Sequence, residues 1–112
     1  MDNCLFCKII RREIPAEIVF ENEEILAFRD INPQAPEHIL LIPKEHINSP
    51  AEINEANSRI AGSLVSAAAE IAKDKLPDGY RLVFNCGEIA GQTVFHLHLH
   101  LLGGRSLNWP PG

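Results

Sequence analysis

Val94-Phe95-His96-Leu97-His98-Leu99-His100-Leu101-Leu102 is the stretch of this chain that decides the fold. Phe95 and the leucines up to Leu101 occupy every second position, and three histidines occupy the positions between them. Such alternation is typical of a β-strand whose two faces have different surroundings. Side chains two residues apart on a strand lie on the same face, about 7 Å from each other. We therefore expect a strand with three imidazoles in a row and apolar side chains packed behind it.

A row of imidazoles allows three interpretations. It is a polar face turned to water, although Thr, Lys or Glu would serve there equally well. It binds a metal, although a spacing of about 7 Å is wide for ligands that must each lie about 2 Å from one zinc ion. Or it handles a phosphate by dividing nucleophilic attack, proton donation and charge neutralisation among its members. The strand alone does not decide between these, and the rest of the chain has to.

The composition is that of a small globular protein. The 112 residues, 46% hydrophobic and 22% charged, predict a single domain over 1–112 with a C-terminal tail at 103–112. The net charge of −5 disfavours binding to a nucleic-acid backbone but not binding of one nucleotide in a pocket. No apolar run reaches the roughly 20 residues of a membrane span, so we expect no membrane partner. With three cysteines and no signal-peptide pattern, we expect reduced thiols and a cytoplasmic protein.

Hydrophobic patterns predict four more strands and two helices. The strands cover 16–20, 25–29, 38–42 and 80–85; the first two form a hairpin, and the third is apolar enough to be covered on both faces. A short helix is expected over 6–12. A long amphipathic helix is expected over 49–76, with or without an irregular first turn, because its apolar residues recur at steps of three and four.

Cys4-Leu5-Phe6-Cys7 places two thiols at the spacing C-x-x-C. Three interpretations compete: a redox pair, half of a zinc site, or two buried apolar thiols. A redox pair is typically found in a βαβ context, whereas this motif opens the chain. A zinc site requires two further ligands from elsewhere.

Other polar residues lie near the predicted ends of strands. Asp30 closes a strand, as a turn cap or as a ligand contact, and His38 opens the next one. Gly91-Gln92-Thr93 precedes the histidine stretch and brings backbone N–H groups and a hydroxyl beside it. Such a segment can cradle an anion.

The stretch 96–102 matches the pattern His-φ-His-φ-His-φ-φ, where φ is apolar, and on this pattern the chain resembles the histidine triad family. Almost its whole length resembles the Hint branch, the histidine triad nucleotide-binding proteins. The C-terminal Trp109-Pro110-Pro111-Gly112 and Gly103-Gly104-Arg105 favour this branch over the diadenosine-polyphosphate hydrolases. The other supporting stretches are 6–10, 27–31, 42–46 and 91–94.

The resemblance implies an α+β fold of the HIT type: an antiparallel sheet of about five strands, one long and one short helix, and a homodimer. It implies hydrolysis of the P–N bond of purine nucleoside 5′-phosphoramidates, such as adenosine 5′-monophosphoramidate, through a covalent nucleotidyl-histidine and without a catalytic metal. The alternative is a nucleotide-binding or protein-interaction module whose hydrolase activity is incidental. Trp109 would dock at the two-fold interface near the partner's site.

The resemblance also implies roles for individual residues. His98 would be the nucleophile, His100 a phosphate contact, and His38 a supporting histidine. The expected nucleotide contacts are Asp30 at the ribose hydroxyls, Phe6, Phe28 and Ile31 around the purine, and Asn85, Gln92, Thr93 and His100 at the phosphate. Some members of the family carry the same C-x-x-C and bind zinc, and the ligands here would be Cys4, Cys7, His46 and His96; buried reduced thiols are the alternative.

Overall fold

The computed structural model describes residues 3–112, which form one five-stranded antiparallel sheet with two α-helices. The elements are α1 (Leu5–Ile10), β1 (Ile18–Glu21), β2 (Ile25–Arg29), β3 (Glu37–Pro43), α2 (Arg59–Lys75), β4 (Tyr80–Phe84) and β5 (Leu99–Gly103). The strands lie in the order β1-β2-β3-β5-β4, so β3 is central, as its apolar sequence indicates. This arrangement confirms the predicted α+β class with one short and one long helix.

The two faces of the sheet have different partners. On one face, alternate residues such as Ile39 and Leu41 of β3 and Leu99 of β5 pack in one core cluster with the apolar stripe of α2. On the other face, Leu40 and Ile42 join a second cluster with residues of β2 and α1. Since Leu40 is paired with His100 across β3 and β5, that histidine projects on the α1 face. The alternation of the sequence therefore separates the main core from the histidines.

The histidine stretch is a strand only from Leu99 onward, so the prediction of a strand over 94–102 is wrong in its first half. Both strands that flank β5 stop pairing with it at Leu99, and the backbone before that point bonds elsewhere: Leu97 N–H donates to Ile47 O at 2.6 Å. The bend leaves Phe95 45% exposed, whereas Leu97 is buried. The regular row of three imidazoles is correspondingly broken before His98.

The long helix begins at Arg59 rather than near Ser49. Ser49 caps only a single 3₁₀ turn over Pro50–Glu52. Beyond it, Asn54 Oδ1 accepts from Ala56 N–H at 2.8 Å and Asn57 Oδ1 accepts from Asn54 N–H at 2.7 Å. These side chains satisfy backbone donors in a turn conformation and so compete with helix formation. The irregular start that the sequence left open is therefore longer than one turn.

The C-terminal tail runs back across the sheet edge. Arg81 of β4 donates to the backbone carbonyls of Leu107 and Asn108 at 3.3 and 2.9 Å. Trp109 lies beyond these contacts and is 81% exposed within one chain. Within 3–112, no helix combines the length and apolarity needed to cross a membrane.

Candidate active site

A cavity of about 510 Å³ opens between α1, β2 and the bend before β5. This volume is in the range of small-molecule sites. Seven of the residues predicted from the sequence lie on its walls: Phe6, Phe28, Asp30, Ile31, His38, Thr93 and His98. A slightly larger concavity of about 530 Å³, lined by residues 75–81 and 104–107, contains no histidine or cysteine. The cavity beside the histidines is therefore the candidate active site.

His98 has a hydrogen bond that fixes which of its nitrogens is free. Its Nδ1 lies 2.7 Å from the backbone oxygen of His96. A carbonyl oxygen can only accept, so Nδ1 carries the proton and the lone pair of the neutral ring is on Nε2. The ring of Phe6 packs edge-on against this imidazole, with centroids 5.2 Å apart. His98 thus offers an oriented, unprotonated nitrogen at the wall of the cavity.

His38 and His100 form a directed pair. The backbone N–H of Gln34 donates to His38 Nδ1 at 3.0 Å, so the proton of neutral His38 is on Nε2. That Nε2 lies 2.9 Å from His100 Nδ1, which must accept, and 3.5 Å from the carboxylate of Asp30. The proton of His100 is then on Nε2. This nitrogen is buried and has no hydrogen-bond partner among residues 3–112. A buried N–H of this kind is suited to a ligand oxygen.

The rings of the site favour the neutral form. Burial lowers the pKa of His100 to about 4; the neighbouring His98 and His38 add to the shift and Asp30 opposes it. Burial also lowers the pKa of His98 and of His38, and in both cases Asp30 opposes the shift. A neutral His98 is the form that can act as a nucleophile.

Aromatic rings form the apolar wall of the cavity. Phe6 of α1 and Phe28 of β2 meet edge to face, with centroids 5.5 Å apart. Ile31, also on this wall, is 98% exposed at the rim. Asp30 accepts Asn32 N–H at 2.8 Å through one carboxylate oxygen, whereas the other faces His38. The cavity accordingly has an apolar side and a carboxylate beside the histidines.

The other predicted phosphate contacts, Gln92, Thr93 and Asn85, differ in whether they have polar groups available to a ligand. Gln92 is buried, its N–H donates to Gly87 O, and its side-chain amide donates to Asn48 O and Val94 O. Those groups hold the loop together and are not available to a ligand. Thr93 is exposed on the cavity wall, whereas Asn85 lines a neighbouring concavity.

Cys4, Cys7, His46 and His96 come together behind His98, with their ligand atoms all within 4.8 Å of one another. His96 Nδ1 lies 3.3 Å from Cys4 Sγ and 3.6 Å from Cys7 Sγ, and His46 Nδ1 lies 3.3 Å from Cys7 Sγ. Ligand atoms around a tetrahedral zinc ion are about 3.5 Å apart. The two sulfur and two nitrogen donors match a structural zinc site in chemistry and in spacing.

Outer contacts orient both histidines of this cluster toward the thiols. His96 Nε2 lies 2.8 Å from Pro43 O, and His46 Nε2 lies 2.6 Å from Asn48 Oδ1. In each ring Nε2 donates and Nδ1 keeps its lone pair, directed at the cysteines. Metal-ligating histidines typically have such a partner on the other nitrogen. The cluster therefore fits a metal better than it fits a redox pair.

Comparison with known proteins identifies the family. The family described as "Scavenger mRNA decapping enzyme C-term binding" matches residues 3–108. A HIT-like protein of Synechococcus elongatus is 54% identical over 99% of this chain and 98% of its own length. The chain belongs to the histidine triad (HIT) family. The crystal structure of a HIT family hydrolase from Legionella pneumophila has a TM-score of 0.95 and 53% identity, covering 98% of this chain and 100% of that one.

A second relative of this HIT protein concerns the Cys/His cluster. A protein of Zea mays named "14 kDa zinc-binding protein" is 52% identical over 96% of this chain and 87% of its own length. A HIT family hydrolase from Clostridium thermocellum also superposes, with a TM-score of 0.94 and 54% identity over 96% of each chain. The family thus supports a nucleotide hydrolase or nucleotide-binding role.

Some site groups of this HIT protein could not be recognised in the sequence. The N–H of Gln34 is a backbone donor, and nothing in the residue type indicates that it binds a histidine. Ile9, Ile14 and Leu40 line the cavity, but their apolar side chains look like ordinary core residues. The one available signal was the pair of prolines around Gln34, which indicates a shaped loop before His38.

Proposed function

We propose that this HIT protein is a purine nucleoside phosphoramidase of the Hint branch, with His98 as its nucleophile. The observation that carries the proposal is the 2.7 Å hydrogen bond from His98 Nδ1 to His96 O, which leaves the Nε2 lone pair at the wall of a nucleotide-sized cavity. The ring of His100 lies 5.0 Å from that of His98, and its Nε2–H, which has no partner among residues 3–112, is a hydrogen-bond donor for a phosphoryl oxygen.

The proposed reaction has two displacements. His98 Nε2 attacks phosphorus, a bond from nitrogen to phosphorus forms, and the P–N bond to the amine breaks. The departing amine takes up a proton, and a bound phosphoryl anion raises the pKa of the surrounding imidazoles so that they can supply it. Water then attacks phosphorus and gives a proton to a neighbouring imidazole, the bond between His98 Nε2 and phosphorus breaks, and the nucleoside monophosphate leaves with His98 restored. His100 and Thr93 stabilise the phosphoryl oxygens in both steps.

The rest of the cavity suits the nucleoside. Phe6, Phe28 and Ile31 form an apolar slot for the purine, and Asp30 can accept hydrogen bonds from the ribose hydroxyls. His38 holds His100 in place through their 2.9 Å contact. Asn85 and Gln92 hold the loop that would surround the phosphate. Gln92 Oε1 accepts from Gly87 N–H within the loop, and the Asn85 side chain lies beside Gly91.

The proposal includes a structural zinc ion held by Cys4, Cys7, His46 and His96. Bound zinc would supply no step of the reaction. It would join α1, which carries Cys7 and Phe6, to the segment that carries His96 and His98. The proposal also includes a homodimer, supported by the apolar surface that Tyr80, Phe84 and Trp109 expose at the β4 edge and the tail.

Incubation with adenosine and guanosine 5′-monophosphoramidate, with separation of the nucleotide products, tests the function. We expect release of the monophosphate, unaffected by a chelator during the assay, and a nucleotidyl adduct on His98 in protein quenched during turnover. Binding of a nucleotide without turnover of any phosphoramidate would support the alternative of a binding module.

A further inference from the structure

The tautomers of His38 and His100 depend on groups that take no direct part in the proposed reaction. Gln34 N–H donates to His38 Nδ1 and the Asp30 carboxylate lies 3.5 Å from His38 Nε2, and both contacts favour a proton on His38 Nε2 and therefore on His100 Nε2. If His38 instead carried its proton on Nδ1, its Nε2 would accept a hydrogen bond from His100 Nδ1. His100 Nε2 would then carry a lone pair instead of a proton. That lone pair would repel a phosphoryl oxygen.

Gln34 is in turn held by Arg105, which follows β5. One guanidinium nitrogen of Arg105 donates to Gln34 O at 2.8 Å, and another donates to Ser106 O at 2.9 Å. The approach depends on Gly104, which has φ +92° and at which a Cβ would lie 2.9 Å from Pro36 Cβ. Glycine at this position lets the chain after β5 lie directly against the loop that carries Gln34.

We propose that Arg105 and the backbone N–H of Gln34 are positioning groups that set the His38–His100 tautomer and so present His100 Nε2–H to the phosphoryl group. The chain of contacts runs from Arg105 to Gln34 O, from Gln34 N–H to His38, and from His38 to His100. The catalytic part of this inference rests on the proposed function. The assignment of the tautomers rests only on the hydrogen bonds. Neither group touches the reacting atoms; both act through His38.

The first test removes the backbone donor. Gln34→Pro deletes the N–H, whereas Gln34→Ala keeps it and removes only the side chain, whose amide donates to Asn32 O. In ¹⁵N-labelled protein, the ring-nitrogen shifts report which nitrogen of each histidine is protonated. We expect Nε2–H on both rings in the parent and in Gln34→Ala, and a loss of that state in Gln34→Pro.

The second test removes the guanidinium. Arg105→Met loses the contact with Gln34 O, and Arg81→Met is the matched control because Arg81 also donates to tail carbonyls but not to Gln34. We expect a mixture of tautomers in Arg105→Met and the parent tautomers in Arg81→Met. With a phosphoramidate substrate, kcat of Arg105→Met should fall about tenfold below that of Arg81→Met, with a smaller change in KM.

Nδ1–H on His38 of the parent, or parent tautomers in a folded Gln34→Pro protein, would overturn the proposal. Parent tautomers in Arg105→Met would show that Arg105 does not set the tautomer of His38 and His100. Shifted tautomers with undiminished kcat would show that the tautomer has no catalytic role. Absence of phosphoramidate turnover in the parent would reject the proposed function, whereas the tautomer measurements would still decide the structural part.

Discussion

His98 Nδ1 lies 2.7 Å from the backbone oxygen of His96, so the proposed nucleophile is held by a residue of the Cys/His cluster. The ring of Phe6 touches both histidines, with centroid distances of 5.9 Å to His96 and 5.2 Å to His98. The cluster and the cavity therefore share both backbone and side-chain contacts. Substitutions can nevertheless distinguish the cluster from the cavity, because the nitrogen that we propose to react belongs to His98, which is not a member of the cluster.

Replacement of the nucleophile should abolish turnover but not binding. His98→Asn keeps an amide that can donate to His96 O but has no nitrogen lone pair that can attack phosphorus. We expect kcat to fall by several orders of magnitude, comparable to the loss of catalytic nucleophiles elsewhere, while the nucleoside monophosphate still binds. Steady-state kinetics and calorimetric titration with the nucleotide measure the two effects.

His38→Asn is the comparison variant, because we propose that His38 orients His100 through their 2.9 Å contact and does not itself attack phosphorus. We expect a smaller loss of kcat than in His98→Asn. Near-parent turnover in His98→Asn would reject the assignment of the nucleophile. A nucleotidyl adduct located on His96 or His100 would show that this histidine, and not His98, is the nucleophile.

Replacement of the thiols should release the metal and destabilise the fold. Purified protein should contain about one zinc ion per chain, and Cys4→Ser/Cys7→Ser should contain none, because a hydroxyl is a much poorer zinc ligand than a thiolate. A structural zinc ion contributes directly to the free energy of folding, so the melting temperature should drop in the double variant and in chelator-treated protein.

Cys86→Ser is the matched control for the zinc prediction. Cys86 is exposed and lies outside the cluster, so both the zinc content and the melting temperature should remain those of the parent. Parent protein without zinc, or a double variant with unchanged metal content and melting temperature, would instead favour the two buried thiols considered from the sequence.

The fold was predictable because its core follows simple periodicities. Alternation placed Leu99 and Leu101 in the main core and His100 on the other face, and an uninterrupted apolar run marked β3 as the central strand. The stripe of α2 was likewise correct from Ile60 onward, where i, i+3 and i+4 spacing coincides with burial.

What could not be predicted depends on hydrogen bonds that periodicity does not encode. The strand before Leu99 was expected from alternation, but the bond from Leu97 N–H to Ile47 O and the contact of His96 with Pro43 O bend the chain there. The helix start at Arg59 was hidden for the same reason, by asparagine side chains that bond the backbone. In the site, the residue types were recognisable, but the backbone donor of Gln34 was not.

Acid should destabilise the protein partly through His100. Burial lowers its pKa to about 4 from 6.5, so between these pH values the unfolded chain binds more protons than the folded one. The free energy of unfolding therefore falls as the pH drops through this window and recovers above it. In His100→Gln, which cannot be protonated, the loss between neutral pH and pH about 4 should be smaller by about 1 kcal/mol, with allowance for solvent screening of a half-buried ring.

Urea unfolding of parent and variant across this range measures the effect. At pH values well above 6.5 the imidazole is neutral in both states, so the difference between the two proteins there contains only packing and hydrogen bonding. Any linkage through the Cys/His cluster is common to both proteins and cancels in the comparison. Parallel profiles for the two proteins would show that His100 titrates alike in the folded and unfolded chains.

Removal of the tail should change substrate preference more than stability. Arg81 of β4 donates to two backbone carbonyls of residues 107–112, and Trp109 is 81% exposed, so deletion of these residues removes little buried apolar surface from one chain. If Trp109 docks near the partner's site, as the family resemblance implies, the deletion should alter the ratio of kcat/KM between phosphoramidates with different amines or bases. The melting temperature and the kcat/KM ratios of the truncated protein test this, and Trp109→Ala isolates the ring from the rest of the tail. A truncated protein that processes every substrate at the parent rate would show that the tail has no part in selectivity.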